Sequence, residues 1–320
     1  MKIIYILIAA ILGLTYGQYY YGFIFTQDIC LFAGITLIMP TLFNVKFSDV
    51  TLLYTHKTVM IKGLLINYII LPVIALGIGL LTDNFGIAAG LFLLSVLSGG
   101  GMVMHWIKNS GGDTSLGFLL LFINLLFVSF SLLMLHQFGI YTSEYFDESY
   151  LDGPNMSNFA RAVIVLLIVV PFVLSRVIMY IKLLKNFIVE KKSFISQASM
   201  YFIVFYLFGL QNSQTLFEIY DFEPELIYIS FFAVVGFYTA VFFVAKFSYN
   251  LDSPQEKAAF WHTFTRYITL ALVIATFSSS TFGVSMLLPI MLAYLIQIPF
   301  SGLISNQQVK GKKDEVLPTV

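Results

Sequence analysis

The sequence predicts an all-α membrane protein of ten transmembrane helices, built as two five-helix repeats of opposite topology with two of the helices interrupted. Three observations predict it. The 320 residues are 59% hydrophobic and only 11% charged, whereas about a quarter of a soluble domain is charged. So few charges cannot coat a globule of this size, and the surplus apolar surface must face lipid. The apolar residues also gather into runs of membrane-spanning length, and the charges of the connections alternate in kind along the chain.

A span needs roughly 20 mainly apolar residues. Runs between polar breaks predict segments at 2–17, 27–44, 60–82, 85–109, 113–138, 159–181, 194–214, 225–247, 258–280 and 284–305, with a polar tail over 306–320. The opening run is read as the first span, because no small-residue cleavage site follows it.

Positive residues favour the cytoplasmic side. Lys2 precedes the first span, and the next connection, 17–26, has no Lys or Arg. The third carries Lys46 and Lys57, and the fourth has only Asp83. After the fifth span come Glu144, Asp147, Glu148 and Asp152; the next connection is basic, with Arg176, Lys182, Lys185, Lys191 and Lys192. Glu218, Asp221, Glu223 and Glu225 follow, then Lys246 and Lys257, and finally Lys310, Lys312 and Lys313 in the tail. This alternation predicts an even number of spans with both termini cytoplasmic, in a bacterial inner membrane. The acidic connection near 139–158 divides the spans five and five, over residues 1–150 and 151–305. Five is odd, so the second half enters the membrane from the opposite side, the layout of an inverted repeat.

Within the fourth span lies Ser98-Gly99-Gly100-Gly101. Each glycine costs a helix about 1 kcal/mol relative to alanine, and successive glycines point in different directions, which a single packing face does not explain. The expected arrangement is two half-helices, about 85–98 and 102–110. The ninth span holds Thr276-Phe277-Ser278-Ser279-Ser280-Thr281 and then Gly283, in the corresponding position of the second half. Its hydroxyls either ligate an ion or bond back to their own helix. Freed backbone groups at both breaks are expected to face a shared water-filled cavity, because lipid cannot satisfy them.

Ionisable groups inside spans are costly and usually functional. His105 and Lys108 follow the glycine break on one helical face. His105 could carry a proton or be a neutral, bonded imidazole; Lys108 could snorkel to headgroups. Arg266, one turn from His262, could hold an oxyanion bidentately, snorkel, or pair with Asp113. Asn67, Asn124 and Gln211 are mid-span amides, which serve as ligands or as helix–helix glue.

The stretch from Ser98-Gly-Gly-Gly-Met-Val-Met-His-Trp through Gly112-Asp113 to Asn124 resembles the fourth and fifth helices of the bile acid:sodium symporter superfamily, which includes arsenite efflux carriers. Met39-Pro40, Arg266 to Phe277, and Gln297-Ile298-Pro299 resemble its second, ninth and tenth helices. The resemblance implies a broken, crossed pair of helices and alternating access, with Asn124 and Thr269 at matching positions. It also exposes departures. The positions corresponding to the symporters' sodium ligands are Val103, Met104, Gly117, Leu121, Ala271 and Ala275, which offer no side-chain oxygen. Gly99 stands where arsenite carriers have a cysteine, and the sole cysteine, Cys30, lies elsewhere.

The expected function is a secondary transporter for a small organic or anionic solute, not an enzyme. The substrate-site residues expected are Gly99, Gly100, Gly101, His105, Asn124, Arg266, Thr269, Thr276 and Ser278. No cofactor or metal site is expected, and no side chains support sodium or proton coupling through a buried carboxylate. The formal net charge of zero gives no sign of a nucleic-acid partner. The rivals are an intramembrane enzyme, for which Ser98 and His105 lack the Gly-x-Ser-x-Gly context and His-Glu-x-x-His is absent, and a receptor, which needs no paired breaks.

Overall fold

The computed structural model describes residues 3–24, 26, 28–33, 35–36, 39–42, 54–100, 102–148, 150, 165, 169–210 and 224–316. They are almost entirely helical. The helices are α1 (Ile3–Tyr20), α2 (Asp28–Ala33), α3 (Met39–Leu42), and α4, a rod over Lys57–Leu80 with a π-helical turn at Ile66–Ile70. Next come α5 (Phe85–Val96), α6 (Val103–Ser110), α7 (Thr114–Leu126) and α8 (Val128–Thr142). The second half contributes α9 (Val170–Tyr180), α10 (Lys182–Phe208), α11 (Pro224–Ser248), α12 (Pro254–Phe264), α13 (Ile268–Phe282) and α14 (Leu287–Val316).

Among the described residues, three helices are long and apolar enough to cross a membrane singly, Lys57–Leu80, Glu225–Ser248 and Val284–Ser305; the pair Thr114–Leu126 and Val128–Phe146, bent by 48°, makes a fourth when taken as one span. That bend, at Phe127, is absent from the sequence expectation. So is the continuation of α14 through most of the predicted polar tail, to Val316. The start of the sixth predicted span, 159–164, and the end of the seventh, 211–214, lie outside the described residues.

Every residue of α5 is buried, as an apolar-all-round helix requires. It packs against α4, α8, α13 and α14 at the centre of the molecule. Gly86 and Gly90, one turn apart, make the last of these contacts possible. A Cβ at Gly90 would stand 2.5 Å from the Met286 carbonyl oxygen and 2.6 Å from Pro289 Cγ, and one at Gly86 would overlap Ser285 Oγ. To one side α1 packs along α10, and α9 along α10 and α3. The outer faces carry Ile4, Ile8, Ile11, Val173, Val177 and Phe232 in the open, an apolar surface suited to lipid.

The π-helical turn in α4 has a local cause. Pro72 has no N–H to return to the carbonyl four residues back. Leu71 N–H bonds Ile66 O, five residues back, and the widened turn carries Asn67.

Candidate functional site

Two helices break and meet at their breaks. The chain leaves α5 at Leu97 (φ −104°, ψ 89°), turns at Gly99 (φ +70°) and re-enters helix at Val103. It leaves α12 at Thr265 (φ −83°, ψ 133°) and re-enters at Ile268, past Tyr267 (φ −84°, ψ 68°). Ser98 and Arg266 form an isolated antiparallel bridge. Gly99 N–H donates to Thr265 O at 2.8 Å and less closely to His262 O at 3.1 Å, while Tyr267 N–H donates to Leu97 O at 3.0 Å.

The half-helices expected at 85–98 and 102–110 are present as α5 and α6. The ninth-span break is not where the hydroxyl cluster suggested. It lies at 265–267, and residues 276–281 sit inside continuous α13. Ser and Thr can remain helical, whereas Thr265 is extended and Tyr267 centres an inverse γ-turn closed by Ile268 N–H to Arg266 O at 3.0 Å, with Thr265 O and Tyr267 N–H bonded to the other break. Four of the freed backbone groups, Gly99 N–H, Thr265 O, Tyr267 N–H and Leu97 O, pair with one another across the two breaks.

Three carbonyls at the end of α5 find partners outside their own helix. Ser95 O accepts from Arg266 Nη1 at 2.9 Å, Val96 O from Ser131 Oγ at 3.0 Å, and Leu97 O from Tyr267. At the other break, Arg266 N–H donates to Gln297 Oε1 at 2.6 Å, and Gln297 Nε2 donates back to Arg266 O at 3.3 Å. Tyr238 O–H donates to the same Oε1 at 2.8 Å. Ser131→Ala is therefore expected to cost about 1 kcal/mol, readable as a lower unfolding temperature of the purified protein.

Arg266 is 1% exposed and sits at the centre of this arrangement. Besides Ser95 O, its guanidinium reaches Asn67 Oδ1 through Nη2 at 2.8 Å. Asp113 is not its partner; it caps α7, accepting from Ser115 and Leu116 N–H at 2.9 and 3.0 Å.

A narrow cleft with room for about one water molecule, about 10 Å³, lies beside the crossing between α4, α7 and α12. Asn67, Asn124, His262 and Thr263 line it together with Met60, Leu64, Leu120 and Ile123. His262 Nε2 meets Gly117 O at 2.8 Å and its Nδ1 meets Asn124 Nδ2 at 3.3 Å. A carbonyl only accepts, so Nε2 carries the proton and Nδ1 accepts from Asn124. Gly99 is essential to this contact: a Cβ there would stand 2.7 Å from His262 Nδ1. Trp261 Nε1 donates to Ser110 Oγ at 2.8 Å and its ring stacks on Trp106, tying α12 to α6.

Of the sequence-predicted residues, Gly99, Gly100 and Arg266 meet at the crossing, and Asn124 joins through His262. Thr269 is half-buried in the first turn of α13. His105 is brought elsewhere: it is exposed, with Nε2 2.9 Å from Asn109 Nδ2 on its own helix. Ser278 lies buried in α13, its hydroxyl without a hydrogen-bond partner, well along the helix from the break. Gly101 and the side chain of Thr276 lie outside the described residues. Sequence reasoning treated Asn67 as a choice between ligand and glue, met Gln297 only through the resemblance, and missed Tyr238. The usable signal for Asn67 was a mid-span amide five residues before a proline.

Among the described residues no cluster of three His, Cys, Asp or Glu could hold a metal ion. The model for the Sodium Bile acid symporter family matches residues 30–217, which includes α5 to α8 but not α12 to α14. No curated protein matches the chain.

Proposed function

The chain belongs to the sodium bile acid symporter family, and on that premise we propose that it is a secondary transporter that carries an amphipathic organic anion past the crossed breaks by alternating access. The family suggests an integral membrane transporter of a small solute, not an enzyme. The observation that carries the finer reading is the pairing of two broken helices beside a cleft lined by both apolar and polar side chains. Transporters place substrates at discontinuous helices, and a cleft with a few placed polar groups on apolar walls suits an amphipathic ligand. The buried charge of Arg266, one side chain behind Asn67, favours an anion. The cleft is narrow, so a bile-acid-sized solute requires it to widen, as alternating access would do. Ten spans in two inverted repeats, 1–150 and 151–305, with residues 306–320 as a tail and both termini cytoplasmic in a bacterial inner membrane, belong to this proposal. It is supported by breaks in both the fourth and the ninth predicted spans.

The family's name implies sodium, and the residues present do not fit it. Gly117, at a position matched to a sodium ligand, is crowded by Ile107 Cδ1 and Met104 Sδ, 2.7 and 3.3 Å from where its Cβ would be, and its carbonyl already accepts from His262. Val103, Ala271 and Ala275 are wholly buried apolar residues. Sodium requires oxygen ligands, and none of these side chains has one.

Protein in vesicles tests the reading. Gradient-driven accumulation of a labelled bile acid or keto acid is expected; hydrolysis without flux, or no flux of any organic anion, contradicts it. Asn124→Ala is expected to raise the half-saturating solute concentration roughly tenfold, the loss of about one hydrogen bond, and to lower the unfolding temperature by a few degrees, because His262 Nδ1 loses its donor.

A further inference from the structure

We propose that Arg266 is the resident cation of the crossing: a fixed guanidinium takes the oxygen ligands that a mobile coupling cation would need, so solute binding requires no sodium. The inference rests on the transporter reading for its meaning but not for its test.

Arg266 is buried, and among the described residues no carboxylate balances it. The segments 57–82, 85–112, 114–143, 226–251 and 257–313, which supply every helix meeting at the crossing, contain no Asp or Glu. A lone buried cation is costly, so its charge must be answered by dipoles. The structure supplies a carbonyl oxygen from the last turn of α5 (Ser95 O, 2.9 Å) and an amide oxygen from the π-helical turn of α4 (Asn67 Oδ1, 2.8 Å). Two helix C-termini also end there, α5 at Val96 and α12 at Phe264, each carrying partial negative charge. Carbonyl and amide oxygens converging on one point are the donor set of a hard cation. Here a side chain of the protein itself fills that point.

The remaining oxygens nearby are committed as well. Gln297 Oε1 accepts from both Arg266 N–H and Tyr238 O–H. Thr265 O and Leu97 O are used by the bridge between the breaks. A mobile cation would have to displace one of these bonds and also sit beside a fixed positive charge. Both effects oppose it.

The cleft offers a way to test this chemically, because Asn67 both lines it and touches the guanidinium. Unfolding temperatures of the purified protein are measured in sodium, potassium and choline chloride, for the parent chain, Arg266→Ala and Arg266→Lys. The parent is expected to show the same temperature in all three salts. Arg266→Ala is expected to fall by roughly 10 °C and to recover about half of that when methylguanidinium is added at many times its dissociation constant. Arg266→Lys, which keeps a charge, should fall less than Arg266→Ala and stay indifferent to the salt. Specific stabilisation of the parent by sodium overturns the proposal. So does an Arg266→Ala protein that is as stable as the parent or that folds yet ignores methylguanidinium. If Arg266→Ala does not fold, the salt series on the parent and Arg266→Lys decides: indifference to sodium in both supports the proposal, and a sodium effect in either overturns it. Flux in vesicles is a separate measurement. Organic-anion flux with a sodium-stabilised parent leaves the transporter reading standing and removes this one, whereas rescue by methylguanidinium without flux does the reverse.

Discussion

Gly99→Val is expected to abolish solute accumulation in vesicles and to lower the unfolding temperature by roughly 10 °C. Two costs combine. Gly99 has φ +70°, a left-handed conformation that costs a residue with a Cβ about 1–2 kcal/mol and a β-branched residue more. The new Cβ would also stand 2.7 Å from His262 Nδ1 and 3.0 Å from its Cε1. The imidazole cannot swing away freely, because it is held at both nitrogens, by Gly117 O and by Asn124. Overpacking of this kind adds about 1–3 kcal/mol. The contact lies on the wall of the cleft, so flux should fail even in a detergent or lipid that keeps the variant folded. Flux at the parental rate would show that the crossing is not part of the solute path.

Gln297→Leu should be nearly as damaging, for a different reason. Volume is almost conserved, but Tyr238 O–H and Arg266 N–H lose their shared acceptor, and Arg266 O loses the donor at 3.3 Å. Both donors are buried, so each is left unsatisfied at about 1–3 kcal/mol, whereas Arg266 O keeps its bond from Ile268 N–H. A loss of roughly 2–6 kcal/mol in total is expected from those two stranded donors. Gln297→Glu separates shape from hydrogen bonding: a carboxylate still accepts both bonds and gives up only the donor to Arg266 O, so it should lose less stability than Gln297→Leu. A thermal unfolding series of the three proteins reads both expectations.

The first of the two breaks was legible in the sequence and the second was not, and the difference is physical. The fourth span must turn through a left-handed residue next to an imidazole, and only glycine does that without strain; three glycines in an apolar run advertise it. Thr265 (φ −83°, ψ 133°) and Tyr267 (φ −84°, ψ 68°) keep negative φ, which any residue can take, so their segment carries no such mark. What breaks the helix there is tertiary: Gln297 binds Arg266 N–H, and Leu97 O draws off Tyr267 N–H. The run of hydroxyls at 276–281 looked more like a break, yet it remains helical within α13.

The site itself was legible in part for the same reason. Arg266 and Asn124 stood out because charges and amides are expensive in a span. His105 stood out equally and lies on the exposed face of α6, since expense alone does not tell which face a helix turns inward. Tyr238 was hidden among nineteen tyrosines, and its buried bond to Gln297 joins residues 59 positions apart.

The most direct measurement on the paired breaks is a disulfide cross-link. In antiparallel pairs that exchange no hydrogen bonds of their own, Cα atoms lie about 4.5 Å apart, within the range a disulfide spans. Ser98 and Arg266 are such a pair. With Cys30 replaced by serine, a chain carrying Ser98→Cys and Arg266→Cys should oxidise to an intramolecular disulfide in membranes, and one carrying Ser98→Cys and Ser278→Cys should not. Cross-linking to position 278 in place of position 266 would contradict the meeting of the two breaks, and with it the origin of the cleft.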